Sequence, residues 1–192
     1  MFIDTHAHIT QFEPGVDKII CVGTTLEDSQ KAIILAQKYE NIYATVGIHP
    51  EEKCDDWDQF EELVQQPKDV GIGECGLDYH KSYDPTQKPI FEKQLAIARK
   101  FDLPLSIHIR DAWEDVKTID LSKNRGVFHC YSGPIEIPKN FFVSFAGNVT
   151  FKNAKDLQEL ARQIPLEKML LETDSPLLTP EPLRGSQNRP EN

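Results

Sequence analysis

Eight short runs rich in Val, Ile and Phe recur along the chain, at 2–8, 18–23, 42–48, 70–74, 105–108, 126–130, 141–146 and 169–171. Apolar runs this short, bounded by turn-forming residues, read as strands. Between several of them lie segments with helical period. In 89–101, Phe91, Gln94, Leu95, Ala98 and Phe101 form a largely apolar stripe. In 153–164, Leu157, Leu160, Ala161 and Ile164 fall at the i, i+3, i+4, i+7 spacing, with Asn153 as the N-cap. The segment 25–39 opens with Thr-x-x-Asp, a capping signature. Strands alternating with helices specify a parallel sheet wrapped by helices. Eight of them predict an α/β fold, a TIM-like (β/α)8 barrel.

That architecture typically takes about 200 residues or more, and this chain has 192. Only 11–17 separates the first two strands, 132–140 is similarly thin, and a Pro-rich tail replaces a helix after the eighth strand. A compact barrel with some outer helices short or missing is therefore expected, with apolar flanks that a homo-oligomer could cover. One domain over 1–192 accounts for the length. No apolar run approaches the roughly 18 residues that span a bilayer, and the first residues lack a signal-peptide pattern, so a cytoplasmic protein without a membrane partner is expected. Cys21, Cys54, Cys75 and Cys130 are too scattered for a C-x-x-C site and read as reduced, packed thiols.

The histidines carry the chemical signal. His6, His8, His108 and His129 all fall at the C-terminal ends of predicted strands, the rim where barrel active sites are built. The period of two in His6-Ala7-His8 puts both imidazoles on one face of a strand, and Asp4 shares that parity. Glu74 and Asp174 end two further strands. Four imidazoles and two carboxylates suffice for two divalent metal ions sharing a bridging carboxylate. Arg110 lies two residues beyond His108 and points the same way, where a guanidinium could grip a phosphate oxygen. Asp111 reads as a cap for the following helix, and Arg184 is a further phosphate-binding candidate near the rim. Strand alternation turns Cys75 and Cys130 away from the neighbouring ligand face. His80 reads as exposed, and Trp57 and Trp113 as core or helix-face residues.

These segments resemble the TatD-related metal-dependent deoxyribonucleases, within the amidohydrolase-like superfamily. The resemblance rests on Phe-Ile-Asp-Thr-His-Ala-His at 2–8, Gly-Ile-His-Pro at 47–50, Gly-Ile-Gly-Glu-Cys-Gly-Leu-Asp-Tyr at 71–79, and Pro-Leu-Ser-Ile-His-Ile-Arg-Asp-Ala at 104–112. It continues through Gly-Val-Phe-His-Cys-Tyr-Ser-Gly at 126–133, Leu-Leu-Glu-Thr-Asp-Ser-Pro at 170–176, and Arg184-Gly185 with Asn188 and Pro190. It implies that His6, His8 and Asp174 hold one metal, that His108 and His129 hold the second, and that Glu74 bridges them. It also implies that His49 faces the substrate phosphate. The chain departs from the family in its short first and sixth crossovers, in lacking the helices after the Arg-Gly segment, and in having Ser186-Gln187 where a basic pair is usual.

The expected reaction is hydrolysis of a phosphodiester in nucleic acid, DNA or RNA, with a 3'-5' exonuclease acting on single strands as the specific form. Asp174 would take the proton of the attacking water, and Arg110 and His49 would stabilise phosphoryl charge. Zn²⁺, Mn²⁺ or Mg²⁺ fits mixed nitrogen and oxygen ligands, and the imidazole count favours the first two. The net charge of −10 argues against broad capture of a polyanion, although two cations in a cleft attract a phosphodiester locally. Two alternatives stand beside this reading: an amide or ester hydrolase such as a D-aminoacyl-tRNA deacylase, and a non-catalytic metal-binding scaffold.

Overall fold

In the computed structural model, which describes residues 1–12, 15–134 and 136–192, eight parallel strands follow one another in sequence order around a nearly closed barrel. They are β1 (Ile3–Ala7), β2 (Lys18–Val22), β3 (Ile42–Val46), β4 (Asp69–Asp78), β5 (Leu105–Arg110), β6 (Gly126–Phe128), β7 (Phe141–Phe145) and β8 (Met169–Leu171). Among the described residues five α-helices lie between them: α1 (Leu26–Lys38), α2 (Trp57–Leu63), α3 (Gln87–Phe101), α4 (Trp113–Val116) and α5 (Lys155–Gln163). The expected (β/α)8 plan is present with its outer layer thinned. Among the described residues no helix joins β1 to β2 or β6 to β7, and none follows β8. Among the described residues no helix is long and apolar enough to cross a membrane.

Local chemistry accounts for most boundaries. Thr25 caps α1, its hydroxyl accepting from the Asp28 amide at 3.1 Å, and Asp56 caps α2 through the Gln59 amide at 2.9 Å. The expected Asn153 cap does not form. Helix α5 begins at Lys155 after Ala154, without a side-chain cap. Nor does Asp111 cap α4: it adopts a left-handed conformation (φ 55°) and pairs with the exposed His80 at 2.9 Å.

The apolar core lies between the sheet and its helices. Ala32, Ile33 and Ala36 of α1 and Phe91, Leu95 and Ala98 of α3 are buried in one cluster with Ile42, Val46, Ile72, Leu77 and Ile107. Where helices are absent, apolar side chains are left in solvent: Phe2, Ile3 and Leu171 are exposed along β1 and β8.

Side chains tie the strands together at their N-terminal ends. A basic residue just before an even-numbered strand reaches back to carbonyls at the entry to the preceding odd one. Lys68 Nζ donates to Glu40 O at 2.6 Å, Arg125 Nη2 to Asp102 O at 2.5 Å, and Lys168 Nζ to Lys139 O at 2.6 Å and Phe141 O at 3.0 Å. Before β2 the roles reverse, and Asp17 accepts from the Phe2 amide at 2.6 Å.

The seam between β8 and β1 is closed by other means. The Asp174 amide donates to His6 O at 3.0 Å and the His8 amide to Ser175 O at 2.7 Å. Lower down, Asp4 accepts from the Thr173 amide at 3.0 Å and the Thr173 hydroxyl at 2.5 Å. The irregularity of β1 between Asp4 and Ala7 therefore gives Asp4 to the seam rather than to the histidine face its parity suggested.

One buried group works against folding. Both carboxyl oxygens of Asp69 are buried without a well-formed hydrogen bond; the amides of Gly71 and Val46 approach without closing one. Burial pushes this carboxyl up to about 8. The native state thus keeps a proton that the unfolded chain releases above about pH 4, so stability falls as pH rises from about 4 to about 8. Asp69→Asn is expected to raise Tm at pH 8 and to leave it nearly unchanged at pH 4, as read by thermal unfolding at both pH values.

Candidate metal centre

The C-terminal halves of β1, β4 and β5 and the residues just after β1, β6 and β8 bring six side chains to one point; β4 continues to Asp78, so Glu74 lies within its strand and not at the end the sequence suggested. His6 is fully buried, and its Nε2 lies 3.2 Å from His8 Nε2. Glu74 enters from β4, where the register with both neighbours shifts. Gly47 leaves room for this backbone, since a Cβ there would sit 2.4 Å from Glu74 N, and Gly76 lets β4 approach β5. The φ of Gly76 is 145°, and a Cβ there would sit 1.9 Å from His108 O.

The two oxygens of Glu74 face different groups. Oε2 lies 3.5 Å from His6 Nε2 and 3.3 Å from His8 Nε2, and the same two nitrogens lie 3.9 and 3.5 Å from Asp174 Oδ1. Oε1 lies 2.9 Å from His108 Nδ1 and 2.8 Å from His129 Nε2. Three groups of side chains have donor atoms close enough to hold a cation: His6, Glu74 and His129; His6, His8 and Asp174; and His49, Asp78 and His108. The His6 and His129 rings stack at 3.8 Å.

The far side of each imidazole is directed at an acceptor. His6 Nδ1 lies 3.0 Å from Ser106 Oγ and His8 Nδ1 3.1 Å from Val22 O. His108 Nε2 lies 2.9 Å from Asp78 Oδ2, while His129 Nδ1 is 3.7 Å from Glu172 Oε2 without a closed hydrogen bond. Such partners fix the ring and tautomer and leave the inner nitrogen free for a metal, so the donor chemistry fits divalent cations.

Sequence reasoning missed these supports. Asp78 and Glu172 share strand parity with Glu74 and Asp174, the one signal that could have found them. Two buried glutamines of α3 were also missed. Gln94 clamps the Ile48 amide and carbonyl at 2.9 and 3.0 Å, and Gln87 clamps those of Asp78 at 2.8 Å each.

Without cations the cluster is strongly polarised. Burial opposes every charge in it, yet His129, His108 and His6 hold the Glu74 carboxyl well below the usual range. Despite its own burial, His129 is held well above the usual imidazole value by Glu74 and Glu172. His6 is pushed down by burial and by neighbouring His129. Asp78, against its burial, is held near 2 by His108 and the His80 amide.

Above the cluster opens a cleft of about 720 Å³, lined among others by His49, Arg110, Asn148, Leu177 and Leu178. His49 Nδ1 accepts from the Glu51 amide at 3.2 Å, so its Nε2, 3.6 Å from Glu74 Oε1, carries the proton of the neutral ring. Burial lowers its basicity. Arg110 is exposed in this cleft and makes no ion pair among the described residues. Arg184 is not among the lining residues; its guanidinium lies 4.0 Å from the Phe151 ring centroid. Cys130 corrects the expectation from strand alternation. It follows the end of β6 in a left-handed conformation (φ 45°) and lines the cleft, with Asn148 Nδ2 donating to its sulfur at 3.5 Å. Cys75 is buried as expected.

A parallel barrel with a histidine-carboxylate cluster at its C-terminal rim is the architecture of a metal-dependent hydrolase. The model of the TatD related DNase family matches residues 3–192, and the chain belongs to that family. It is 39% identical to the uncharacterized metal-dependent hydrolase YabD of Bacillus subtilis, over 99% of this chain and 86% of that protein. Their alignment runs to 219 positions, more than this chain's 192 residues, so YabD carries segments that are absent here. Identity to the 3'-5' ssDNA/RNA exonuclease TatD of Escherichia coli K12 is 35%, over 90% of this chain and 72% of that one. The crystal structure of YjjV, a TatD homolog from E. coli K12, superposes with a TM-score of 0.85 at 30% identity, covering 99% of this chain and 85% of that chain.

The charge pattern has a measurable consequence in metal-stripped protein. Burial disfavours a charged His8, but Asp174 and Glu74 outweigh it and push the imidazole up to about 10. At pH 7 His8 is therefore protonated, and Asp174→Asn is expected to bring its titration down. Imidazole ¹⁵N chemical shifts across pH 6–11 would read this; an unshifted His8 in the variant would refute the assignment.

Proposed function

We propose that this chain hydrolyses phosphodiester bonds in single-stranded DNA or RNA from the 3' end, using two divalent cations. The observation that carries the reading is the division of the Glu74 oxygens between two donor sets. In this reading His6, His8 and Asp174 hold one cation, His108 and His129 hold the other, and Glu74 is shared. Zn²⁺ or Mn²⁺ suits the imidazole-rich set, and Mg²⁺ is the third candidate. When bound, the cations acidify water and neutralise charge on phosphoryl oxygens.

The remaining roles belong to the chain. Asp174 lines the cleft with its Oδ1 3.5 Å from His8 Nε2, so its carboxylate can take a proton from the attacking water. His49 presents an Nε2–H to a phosphoryl oxygen, because the Glu51 amide occupies its other nitrogen. Arg110, without an ion pair among the described residues, grips the phosphate bidentately through two of its oxygens. Arg184 acts further out, at the rim. The exonuclease activity named for the E. coli relative supports the choice of substrate. The chain's net charge of −10 supports capture by the cleft itself rather than by a broad basic surface.

Two outcomes follow. Glu74→Ala is expected to lower hydrolysis of 3'-labelled single-stranded oligonucleotides at least about a hundred-fold with any of the three cations, more than loss of a supporting group alone costs. Retained activity, or cleavage of a D-aminoacyl ester while oligonucleotides survive, would overturn the proposal. Asp78→Asn is expected to weaken cation binding by about 10–100-fold in chelator competition, since His108 loses the partner that orients it.

A further inference from the structure

The barrel has a second opening. At its N-terminal mouth, opposite the metal centre, lies a cavity of about 260 Å³ to which all eight strands contribute, with Ile20, Val127, Phe142 and Leu170 among its apolar walls. Barrel interiors are ordinarily filled by bulky branched side chains in layers. Here Gly73 and Ser106 pack too tightly for larger residues: a Cβ on Gly73 would meet Ser106 O at 2.5 Å. Small side chains at this level leave the space below them unfilled.

We propose that this mouth binds a small neutral apolar molecule, on the scale of a single aromatic ring. Size and wall chemistry argue for that class. An enclosed apolar cavity of about 150 Å³ takes up benzene, and this open mouth, at about 260 Å³, has room for a ring of that size. Its polar side chains are already engaged. Thr5 donates to Leu171 O at 2.9 Å, Thr45 to Gly73 O at 2.6 Å, and Ser106 contacts His6 Nδ1. At the rim Arg125 is held by Asp102, and Asn140 donates to Ser122 O at 3.5 Å. A polar occupant would lose its water and find few groups not already engaged, whereas an apolar one loses nothing by leaving solvent. The occupant would also touch Thr45 and Ser106, which brace the peptide before Glu74 and the His6 ring from below.

Toluene and indole, titrated into the full, cation-loaded protein and followed by ligand-observed NMR, are the probes, with octanoate as the charged comparison. Saturable 1:1 binding of the neutral aromatics is expected, weakened at least ten-fold in Val127→Phe and in Leu170→Phe, whose added ring atoms fill the space. Thermal unfolding and cation content identify the variants that stay folded, and the comparison is read on those. Absence of saturable binding to the wild type, equal binding by the filled variants, or tighter binding of octanoate than of indole would each overturn the proposal.

Discussion

The closure of β8 against β1 is the constraint on which the metal centre depends. His6 and His8 stand on one side of that seam and Asp174 on the other, so their meeting requires the sheet to close. Two backbone hydrogen bonds at the rim and the Asp4–Thr173 pairing below it supply the closure. Asp4 is well chosen for this. Its two oxygens bind an amide and a hydroxyl across a gap where the strand ladder is incomplete, although burial drives its carboxyl up to about 6. The seam therefore has its own titratable group, separate from those that face the cleft.

Around the centre, charge is balanced twice. Glu74 and Asp174 sit among four imidazoles, and behind these stand Asp78 and Glu172. In the absence of cations, protons on His8 and His129 do part of the neutralising. Cation binding must displace those protons, which couples occupancy to pH through the cluster as a whole rather than through any one residue. The glutamine clamps of α3 belong to the same arrangement. They pin the chain beside His49 and at Asp78, so helix and centre are joined by hydrogen bonds as well as by apolar packing.

What the sequence made legible was governed by periodicity. Eight strands and two helices followed from apolar spacing and a third helix from its capping signature, while position at strand ends brought His6, His8, Glu74, His108, His129 and Asp174 to one rim. Periodicity failed where the backbone leaves it. Cys130 lies beyond the end of β6 with positive φ, so alternation gave it the wrong face. The irregularity in β1 diverted Asp4, and the tail that carries Arg184 has no repeating geometry from which a direction could be read. Gln94 fitted an apolar stripe by spacing, but its amide serves a strand end. Helices α2 and α4, of seven and four residues, are too short to show a period.

The ties at the N-terminal strand ends bear on how the barrel loses helices. Each joins an odd strand to the even one after it, dividing the sheet into four parallel couples, and each acts where strands start rather than through the segment between them. The β1–β2 couple keeps its tie, Asp17 to the Phe2 amide, although its crossover has no helix. Register in such a couple is thus held independently of what passes over the outside. Where a helix makes no clamp of the kind α3 makes, it is cladding over a frame that is already laced, as the helix-free β1–β2 crossover shows.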